Sequence, residues 1–315
     1  MTYGRSRRTT VVTGAAGFVG QMLAARMRDL GYPGHVRLAD RVRPLCPPGD
    51  FATVTIDLTD RGGLSALVAD ADHVIHLAAL AGGAAEADPA ASRAINLDVM
   101  LDLLEVVAPC TRLLCAGSIA VFGTLPGAVD DATPPCPTSV YGAHKRMAEI
   151  AVADAVRRGS CDATILRLPG IVARPGGGSG FKSAFMSDVV SAISSGEPIT
   201  LPVSAASTMW LMSAQCCADN LLHALELPVI DPTALTLPAL RVTMRDFVTA
   251  IATVSGGSAS RVRYEPDLAV ETAFGRLPPL RTVVADDLGF NHDGDVETLA
   301  SQAITGLALD RSAWN

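Results

Sequence analysis

The fold is decided by the stretch TTVVTGAAGFVG at residues 9–20, near the start of this 315-residue chain. Its first five residues are all β-branched, which favours a buried strand, and glycines follow at positions 14, 17 and 20. Glycines at this spacing permit a tight turn and the close approach of backbone to a pyrophosphate. The helical pattern at residues 18–30 would then present its first N–H groups to the phosphates. The stretch therefore predicts a strand, turn and helix that bind a dinucleotide.

Strand and helix patterns alternate from that turn to about residue 170. The predicted strands cover residues 9–13, 35–40, 52–58, 73–79, 112–118 and 164–168, and the predicted helices cover residues 18–30, 64–69, 89–107 and 140–158. Such alternation is typical of a parallel sheet with helices on both faces. We therefore predict an α/β fold, with a Rossmann-type doubly wound parallel sheet in residues 1–170.

The pattern changes after Pro169, where proline and glycine breaks replace the regular alternation. Residues 171–315 are predicted to form mainly a smaller C-terminal substrate-binding region over the carboxyl edge of the sheet. Some of its segments are expected to return to the core. The sequence thus predicts one region for the cofactor and one mainly for the substrate.

Composition excludes several classes of protein. The net charge of −7, from 25 basic and 32 acidic residues, disfavours a nucleic-acid-binding protein, which needs a basic surface. The mean hydropathy of +0.32 is high, but no uncharged apolar run reaches 18 residues, so no membrane span is predicted. Seven cysteines without a Cys-x-x-Cys pair argue against disulfides and a zinc site. They predict a reduced, cytoplasmic protein without a metal.

Asp40 ends the second predicted strand, 20 residues after Gly20, where a carboxylate would hydrogen-bond the adenosine ribose. Its charge would repel a 2′-phosphate, although Arg41 and Arg43 could pair with that phosphate. Asp57 ends the third predicted strand and is a candidate for the adenine side of the pocket, or else a residue that starts the next helix. The predicted cofactor is NAD rather than NADP.

Tyr141 and Lys145 form a Tyr-x-x-x-Lys pair, and this spacing places both on one face of the predicted helix. A lysine ammonium beside a phenol favours the phenolate, so we expect the pKa of Tyr141 to fall from about 10 toward neutrality. Such a tyrosine exchanges protons near physiological pH. Ser118 ends the fifth predicted strand, at the edge where open α/β sheets bind ligands. These three are the predicted catalytic residues.

Four motifs together resemble the extended short-chain dehydrogenase/reductase family, which includes nucleotide-sugar epimerases and dehydratases. The motifs are TGAAGFVG at residues 13–20, HLAA at residues 76–79, SIAVFG at residues 118–123 and YGAHK at residues 141–145. The sequence RLP at residues 167–169 follows, where this family places backbone against the nicotinamide. The resemblance covers most of the chain and implies NAD as the cofactor. The implied cofactor-binding residues are Gly14, Ala16, Gly17, Phe18, Val19, Asp40, Asp57, Leu58, Leu77, Ala78, Ala79, Asn96, Tyr141, Lys145, Pro169 and Ile171.

Within this family, the sequence resembles the D-erythronate dehydrogenase branch, which oxidises a sugar acid with NAD. The sequence segments shared with this branch are EAD at residues 86–88, PTS at residues 137–139, RPG at residues 174–176, LPV at residues 201–203 and Trp210. The branch has serines where Gly82 and Gly117 stand in this chain, and an arginine and a histidine near Thr208 and Leu211. The loop at residues 176–182 also differs. Lost cations and polar groups change what a pocket can hold, so the exact substrate stays open.

The resemblance implies NAD-dependent oxidation of a secondary alcohol on a small sugar acid. Tyr141 would be the general base, Lys145 would keep it acidic and bind the nicotinamide ribose, and Ser118 would orient the substrate oxygen. The predicted substrate-binding residues are Ser118, Ile119, Arg174 and Lys182. The last two could pair with a carboxylate.

Two other functions stay open. A nucleotide-sugar epimerase or dehydratase would hold NAD tightly and re-reduce its substrate within one turnover. A non-catalytic NAD-sensing protein would bind NAD alone, although the intact set of Ser118, Tyr141 and Lys145 argues against it. The family commonly pairs the helices that correspond to residues 89–107 and 140–158, so a homodimer is predicted.

Overall fold

The computed structural model describes residues 8–307, apart from Thr124, Pro126, residues 175–182 and Val229. Its strands are β1 (Thr9–Thr13), β2 (His35–Asp40), β3 (Phe51–Thr55), β4 (His73–His76), β5 (Arg112–Ser118), β6 (Asp162–Leu168), β7 (Gly170–Val172), β8 (Ile199–Leu201), β9 (Thr208–Ser213), β10 (Ala234–Thr236), β11 (Leu240–Thr243) and β12 (Val262–Tyr264). Its α-helices are α1 (Phe18–Asp29), α2 (Arg61–Val68), α3 (Gly82–Ala87), α4 (Pro89–Arg93), α5 (Val99–Val106), α6 (Val140–Arg157), α7 (Phe185–Ser195), α8 (Ala214–Glu226), α9 (Met244–Ser255), α10 (Leu268–Phe274), α11 (Val283–Asp287) and α12 (Val296–Leu307). A π-helical turn (Ala94–Asp98) joins α4 to α5, and 3₁₀ turns follow β5 (Ile119–Val121) and precede β12 (Ala259–Arg261).

Seven parallel strands form the central sheet, in the order β10-β6-β5-β4-β1-β2-β3. The chain builds one half of the sheet outward from β1 and the other half outward from β4, so the strand order reverses between these two neighbours. Ligands of open α/β sheets bind at the carboxyl ends of the strands at such a point. The sheet confirms the predicted α/β fold of Rossmann type.

Strands buried on both faces account for the high mean hydropathy. Val11 and Val12 in β1, like Leu113 and Leu114 in β5, point to opposite faces, and all four are at most 1% exposed. Helices α1 and α8 cover one face, and α2, α5 and α6 cover the other. Within the part of the chain that the structure describes, no helix is both long and apolar enough to cross a membrane.

Two strands are shorter than predicted. The strand predicted at residues 52–58 ends before Asp57, because this side chain accepts hydrogen bonds from the N–H and the hydroxyl of Thr59 and turns the chain. The strand predicted at residues 73–79 ends at His76, after which the backbone crosses over the glycine turn. In both cases, the predicted strand included residues that belong to the loop after it.

The helix predicted at residues 89–107 is one helical run over residues 89–106, but a π-helical turn that was not predicted lies inside it. Helix α4 ends at Arg93, and the π-helical turn separates it from α5. Within this turn, the side chain of Asn96 bonds the backbone of Leu80. Turns of this kind inside helices are frequent at functional sites. The apolar periodicity of the segment does not reveal the interruption.

The chain after β6 builds a second, smaller core. Strand β9 pairs with β7 in parallel and with β11 in antiparallel orientation, while β8 pairs with β12. Helices α7, α9 and α12 pack around this core. Helix α8 and strand β10 return to the central sheet. The division predicted at residue 170 stays a prediction, since the chain crosses between the two cores more than once.

Candidate functional site

The turn after β1 leaves no room for side chains at its first and last glycines. Gly14 has a φ of +73°, and a Cβ there would lie 2.5 Å from the backbone nitrogen of Ala78. A Cβ on Gly20 would lie 2.6 Å from the carbonyl oxygen of Gly14, so α1 packs directly on the turn. Gly17 caps α1 without a side chain. Bare backbone at a helix N-terminus fits the pyrophosphate of NAD.

Asp40, the last residue of β2, is bonded to the same turn. Its Oδ2 accepts a hydrogen bond from the Ala16 N–H at 3.0 Å, and its Oδ1 accepts one from the Val42 N–H at 3.3 Å. Phe18 and Val19 form the first turn of α1. The carboxylate therefore lies beside the glycine turn, and its exclusion of a 2′-phosphate stays a prediction.

Asp57 lies beyond β3, so its predicted place at the end of that strand is wrong. Its hydrogen bonds with Thr59 hold the pKa of its carboxyl below the usual value. Helix α2 is capped by Asp60 instead, which accepts from the Gly62 N–H. Leu58 is buried while Asp57 is exposed. A contact of these two residues with the adenine side of the cofactor stays a prediction.

Residues 77–79, predicted to contact the cofactor, form the loop after β4 that crosses over Gly14. Asn96 holds this loop from the protein interior, since its Oδ1 accepts from the Leu80 N–H at 3.0 Å and its Nδ2 donates to the Leu80 carbonyl at 2.8 Å. The amide is 1% exposed. Asn96 therefore positions the loop, and its direct contact with NAD stays a prediction.

The register of β5 and β6 places Pro169 beside Ser118. Ser118 pairs with Leu168, the residue that precedes the proline. Ile171 follows in β7, which pairs with β9. Pro169 thus borders the predicted catalytic serine, and a contact of Ile171 with the cofactor stays a prediction.

Ser118, Tyr141 and Lys145 come together where β5 meets α6. The Tyr141 hydroxyl forms a hydrogen bond with Ser118, whose Oγ also accepts from the Ala120 N–H at 3.1 Å. Lys145 is 4% exposed and donates to the Ala116 carbonyl at 2.8 Å. Its Nζ is 5.8 Å from the centre of the Tyr141 ring. The three predicted catalytic residues therefore form one cluster at the carboxyl end of β5.

Burial controls the proton affinities in this cluster. It raises the pKa of Tyr141 to about 12, against the lowering effect of the hydrogen bond with Ser118. It lowers the pKa of Lys145 to about 8. The expected fall of the Tyr141 pKa toward neutrality is therefore wrong in this structure. The reason is that burial disfavours the phenolate, while the Lys145 ammonium donates to the Ala116 carbonyl.

Three contacts that the sequence analysis missed place the start of α6. Ser139 caps the helix by accepting from the Gly142 N–H at 3.0 Å, and Glu86 of α3 accepts from the Val140 N–H at 2.7 Å. A Cβ on Gly142 would lie 2.3 Å from the Ala120 carbonyl oxygen, so the helix rests on the turn after β5. A serine before a helical pattern is the signal that could have identified Ser139 as a cap.

A buried ion pair fixes the middle of α6 to the sheet. Glu149 is 2% exposed and accepts from Arg167 Nε at 2.6 Å and Nη2 at 2.9 Å, while Arg146 adds a hydrogen bond at 2.8 Å. Glu149 follows Tyr141 and Lys145 at a spacing of four on one helix face, a signal that could have revealed it. If α6 moved away from the sheet, the two residues would separate and leave buried charges without a partner. The ion pair therefore constrains the position of α6.

The two histidines of β4 have separate partners. His76 Nδ1 lies 2.7 Å from Thr13 Oγ1, and burial lowers the pKa of His76 to about 3, so its imidazole is neutral. His73 Nδ1 lies 3.3 Å from the Tyr32 hydroxyl. Among the described residues, no group of three or more His, Cys, Asp or Glu side chains could hold a metal ion.

The predicted substrate-binding residues lie on different segments. Ile119 begins the 3₁₀ turn after Ser118. Arg174 follows β7 and lies near Asp188 of α7, whose negative charge raises the pKa of Arg174 while burial lowers it more strongly. Lys182 lies outside the described residues.

The sequence matches the NAD dependent epimerase/dehydratase family over residues 10–231. It is 33% identical over 307 residues to a D-erythronate dehydrogenase from Cupriavidus necator, with 91% of this chain and 95% of that protein covered. It is 30% identical over 308 residues to a D-erythronate dehydrogenase from Haemophilus influenzae, with 93% of this chain and 98% of that protein covered. These matches agree with the resemblance that the motifs indicated.

The fold matches a solved structure along its whole length. The nucleoside-diphosphate-sugar epimerase from Agrobacterium tumefaciens superposes with a TM-score of 0.86 at 27% identity, covering 100% of this chain and 99% of that one. The glycine turn of this chain and its similarity to the family and to the two dehydrogenases identify it as an enzyme that uses NAD. The chain therefore belongs to the NAD-dependent epimerase/dehydratase family, and it is an NAD-dependent oxidoreductase of the extended short-chain dehydrogenase/reductase type.

Proposed function

We propose that this enzyme oxidises a secondary alcohol of a small sugar acid, with D-erythronate as the reference substrate. The observation that carries the proposal is the cluster of Ser118, Tyr141 and Lys145 at the carboxyl end of β5. The two relatives named D-erythronate dehydrogenase support the substrate class, since each match covers more than nine-tenths of this chain.

Each residue of the cluster has its own task. NAD, when bound, supplies the hydride acceptor. Tyr141 takes the proton of the substrate hydroxyl, and Ser118, hydrogen-bonded to the phenol, orients the substrate oxygen. Lys145 holds the nicotinamide ribose and supplies a positive charge, because a pKa of about 8 leaves most of its ammonium protonated near neutral pH. Burial disfavours the phenolate of Tyr141, and the hydrogen bond with Ser118 opposes that effect.

Arg174 is the candidate partner for the substrate carboxylate. It follows β7, which begins two residues after the end of β6 and thus near the edge that carries Ser118. A guanidinium pairs with a carboxylate through charge-assisted hydrogen bonds, so Arg174 has the chemistry that a sugar acid needs. Lys182, outside the described residues, stays a second candidate.

Arg174→Gln is expected to raise the KM for an aldonate about 10- to 100-fold with little change in kcat, because a charge-assisted hydrogen bond is lost. The measurement is NADH formation with a panel of aldonates. Arg157→Gln, at the exposed end of α6, is the matched control and should keep the wild-type KM. An unchanged KM in Arg174→Gln would place the carboxylate on another residue.

Turnover of a nucleotide sugar, with no NADH formed from any aldonate, would overturn the proposed reaction. It would favour the second candidate, a nucleotide-sugar epimerase or dehydratase. The 27% identity to the Agrobacterium epimerase over the whole chain favours that candidate. NAD that stays bound through gel filtration, with sugar interconversion and no net NADH, would support it.

We propose a homodimer formed through α5 and α6. Leu101 of α5 and Met147 and Ile150 of α6 are exposed apolar residues, at 40%, 45% and 56% exposure, on helices that pack together. Light scattering is expected to give a dimer at micromolar concentration, and Ile150→Glu is expected to give a monomer, because a charge would be buried in the interface. Leu268→Glu, on exposed α10, is the control that should stay dimeric. A monomeric wild type would contradict the proposal.

A cytoplasmic location stays a prediction. Its support is that the seven cysteines are all unpaired, including Cys110 and Cys136 on the surface. Exposed free thiols are typical of compartments that keep cysteines reduced.

A further inference from the structure

We propose that Ser92 and His144 position α6 against the cofactor loop at residues 77–80, through a chain of hydrogen bonds. His144 directly precedes Lys145 on α6, and Ser92 lies on α4, one turn before Asn96. The proposal rests on the binding of NAD in this cleft and not on the substrate proposed above.

The hydrogen bonds run without a break from α6 to the loop. His144 Nδ1 lies 2.9 Å from Ser92 Oγ, and Asn96 Nδ2 donates to the same Oγ at 3.0 Å. The Asn96 amide also bonds both the N–H and the carbonyl of Leu80. Ser92 is fully buried and Asn96 is 1% exposed, so water does not compete for these bonds.

Hydrogen-bond chemistry makes the position of His144 Nδ1 important. Ser92 Oγ accepts from Asn96 Nδ2 and shares a second hydrogen bond with His144 Nδ1, whose direction depends on the tautomer of the imidazole. A neutral imidazole with its proton on Nε2 accepts that bond. The chain of bonds therefore needs a hydrogen-bonding atom at the position of Nδ1, and one placed a bond further from the helix does not replace it.

The two ends of this link belong to one binding site. Helix α6 carries Tyr141 and Lys145, and the loop packs on Gly14 at the pyrophosphate turn. NAD has to contact both parts at once, so a loop that is free to shift relative to α6 would bind it more weakly. Ser92 and His144 act through Asn96 and the backbone of α6, and are therefore positioning residues.

His144→Asn and His144→Gln form a matched pair that tests this link. The asparagine oxygen falls near the position of Nδ1 and keeps the bond to Ser92, whereas the glutamine amide falls near the position of Nε2. We expect His144→Gln to raise the Kd for NADH, measured by nicotinamide fluorescence, about tenfold. The KM for NAD should rise in parallel, with kcat at saturating NAD changed less than about threefold. His144→Asn should bind NADH within about twofold of wild type.

Ser92→Ala removes the same link from the other side. It should weaken NADH binding about as much as His144→Gln, and the double variant should be no weaker than either single variant, because one link is lost in all three. Additive losses would overturn the proposal.

Wild-type NADH affinity in His144→Gln would also overturn it, as would equal losses of affinity in the Asn and Gln variants. Lower melting temperatures with unchanged NADH affinity would assign His144 a purely structural role and overturn it as well. A wild type that binds NADH but oxidises no aldonate would contradict the proposed substrate alone, because the NADH titration needs no substrate.

Discussion

Replacing Tyr141 by phenylalanine is expected to lower kcat for aldonate oxidation about 10³-fold, while the Kd for NADH stays within about twofold of wild type. In the proposed reaction the phenol O–H exchanges a proton with the substrate, and phenylalanine keeps the ring without that group. Helix α6 still rests on the turn after β5 through Gly142, so the cofactor half of the site should be preserved. NADH formation at saturating aldonate and NAD, together with a fluorescence titration of NADH, measures both quantities.

Ser118→Ala is the graded control for this experiment. In the proposed reaction its hydroxyl orients the substrate oxygen and bonds the phenol but takes up no proton, so a smaller loss of about 10- to 100-fold is expected. Turnover by Tyr141→Phe at a near wild-type rate would place the proton transfer on another residue. A wild type that binds NAD and oxidises no substrate at all would support the non-catalytic NAD-sensing protein instead.

Gly14→Ala is expected to lower the free energy of unfolding by about 3 kcal/mol and to raise the Kd for NADH at least about 100-fold. Two causes add, because the residue has a φ of +73° and its new Cβ would lie 2.5 Å from the Ala78 nitrogen. Only the second cause displaces the loop after β4, where the cofactor is expected. Denaturant unfolding and NADH titration measure the two effects.

Gly159→Ala separates these causes. Gly159 has a φ of +70°, but a Cβ there would meet nothing within 4 Å, so only the backbone strain of about 1 kcal/mol is expected. NADH binding should be unchanged, since this glycine ends α6 far along the helix from Tyr141. NADH binding by Gly14→Ala with wild-type affinity would contradict the placement of the cofactor at this turn.

The cofactor half could be predicted closely because its signals are local. Strands β1 and β5 match the predicted bounds at residues 9–13 and 112–118, since β-branched or apolar runs with turn residues beside them define both ends. The glycine motif and the Tyr-x-x-x-Lys motif are also each contained within a few consecutive residues. Such patterns specify a turn and a helix face without knowledge of distant contacts.

The rest of the site depends on contacts between residues that are far apart in sequence. Asn96, which lies within the π-helical turn that the helix prediction missed, bonds a backbone 16 residues away. Glu86 caps a helix that begins 54 residues later. The burial that raises the pKa of Tyr141 likewise comes from tertiary packing, and so the pair with Lys145 alone gave the wrong direction. Periodicity carries no information on such contacts.

The hydrogen bonds of Asp40 restrict any redesign of coenzyme preference. A small apolar residue in its place would admit a 2′-phosphate, but it would also remove the acceptor of the Ala16 N–H in the pyrophosphate turn. A switch toward NADP therefore needs a neutral side chain, such as serine or asparagine, that still offers an oxygen to this backbone. A substitution at position 40 therefore changes the charge beside the glycine turn and, unless it keeps an oxygen there, also removes a hydrogen bond that holds the turn.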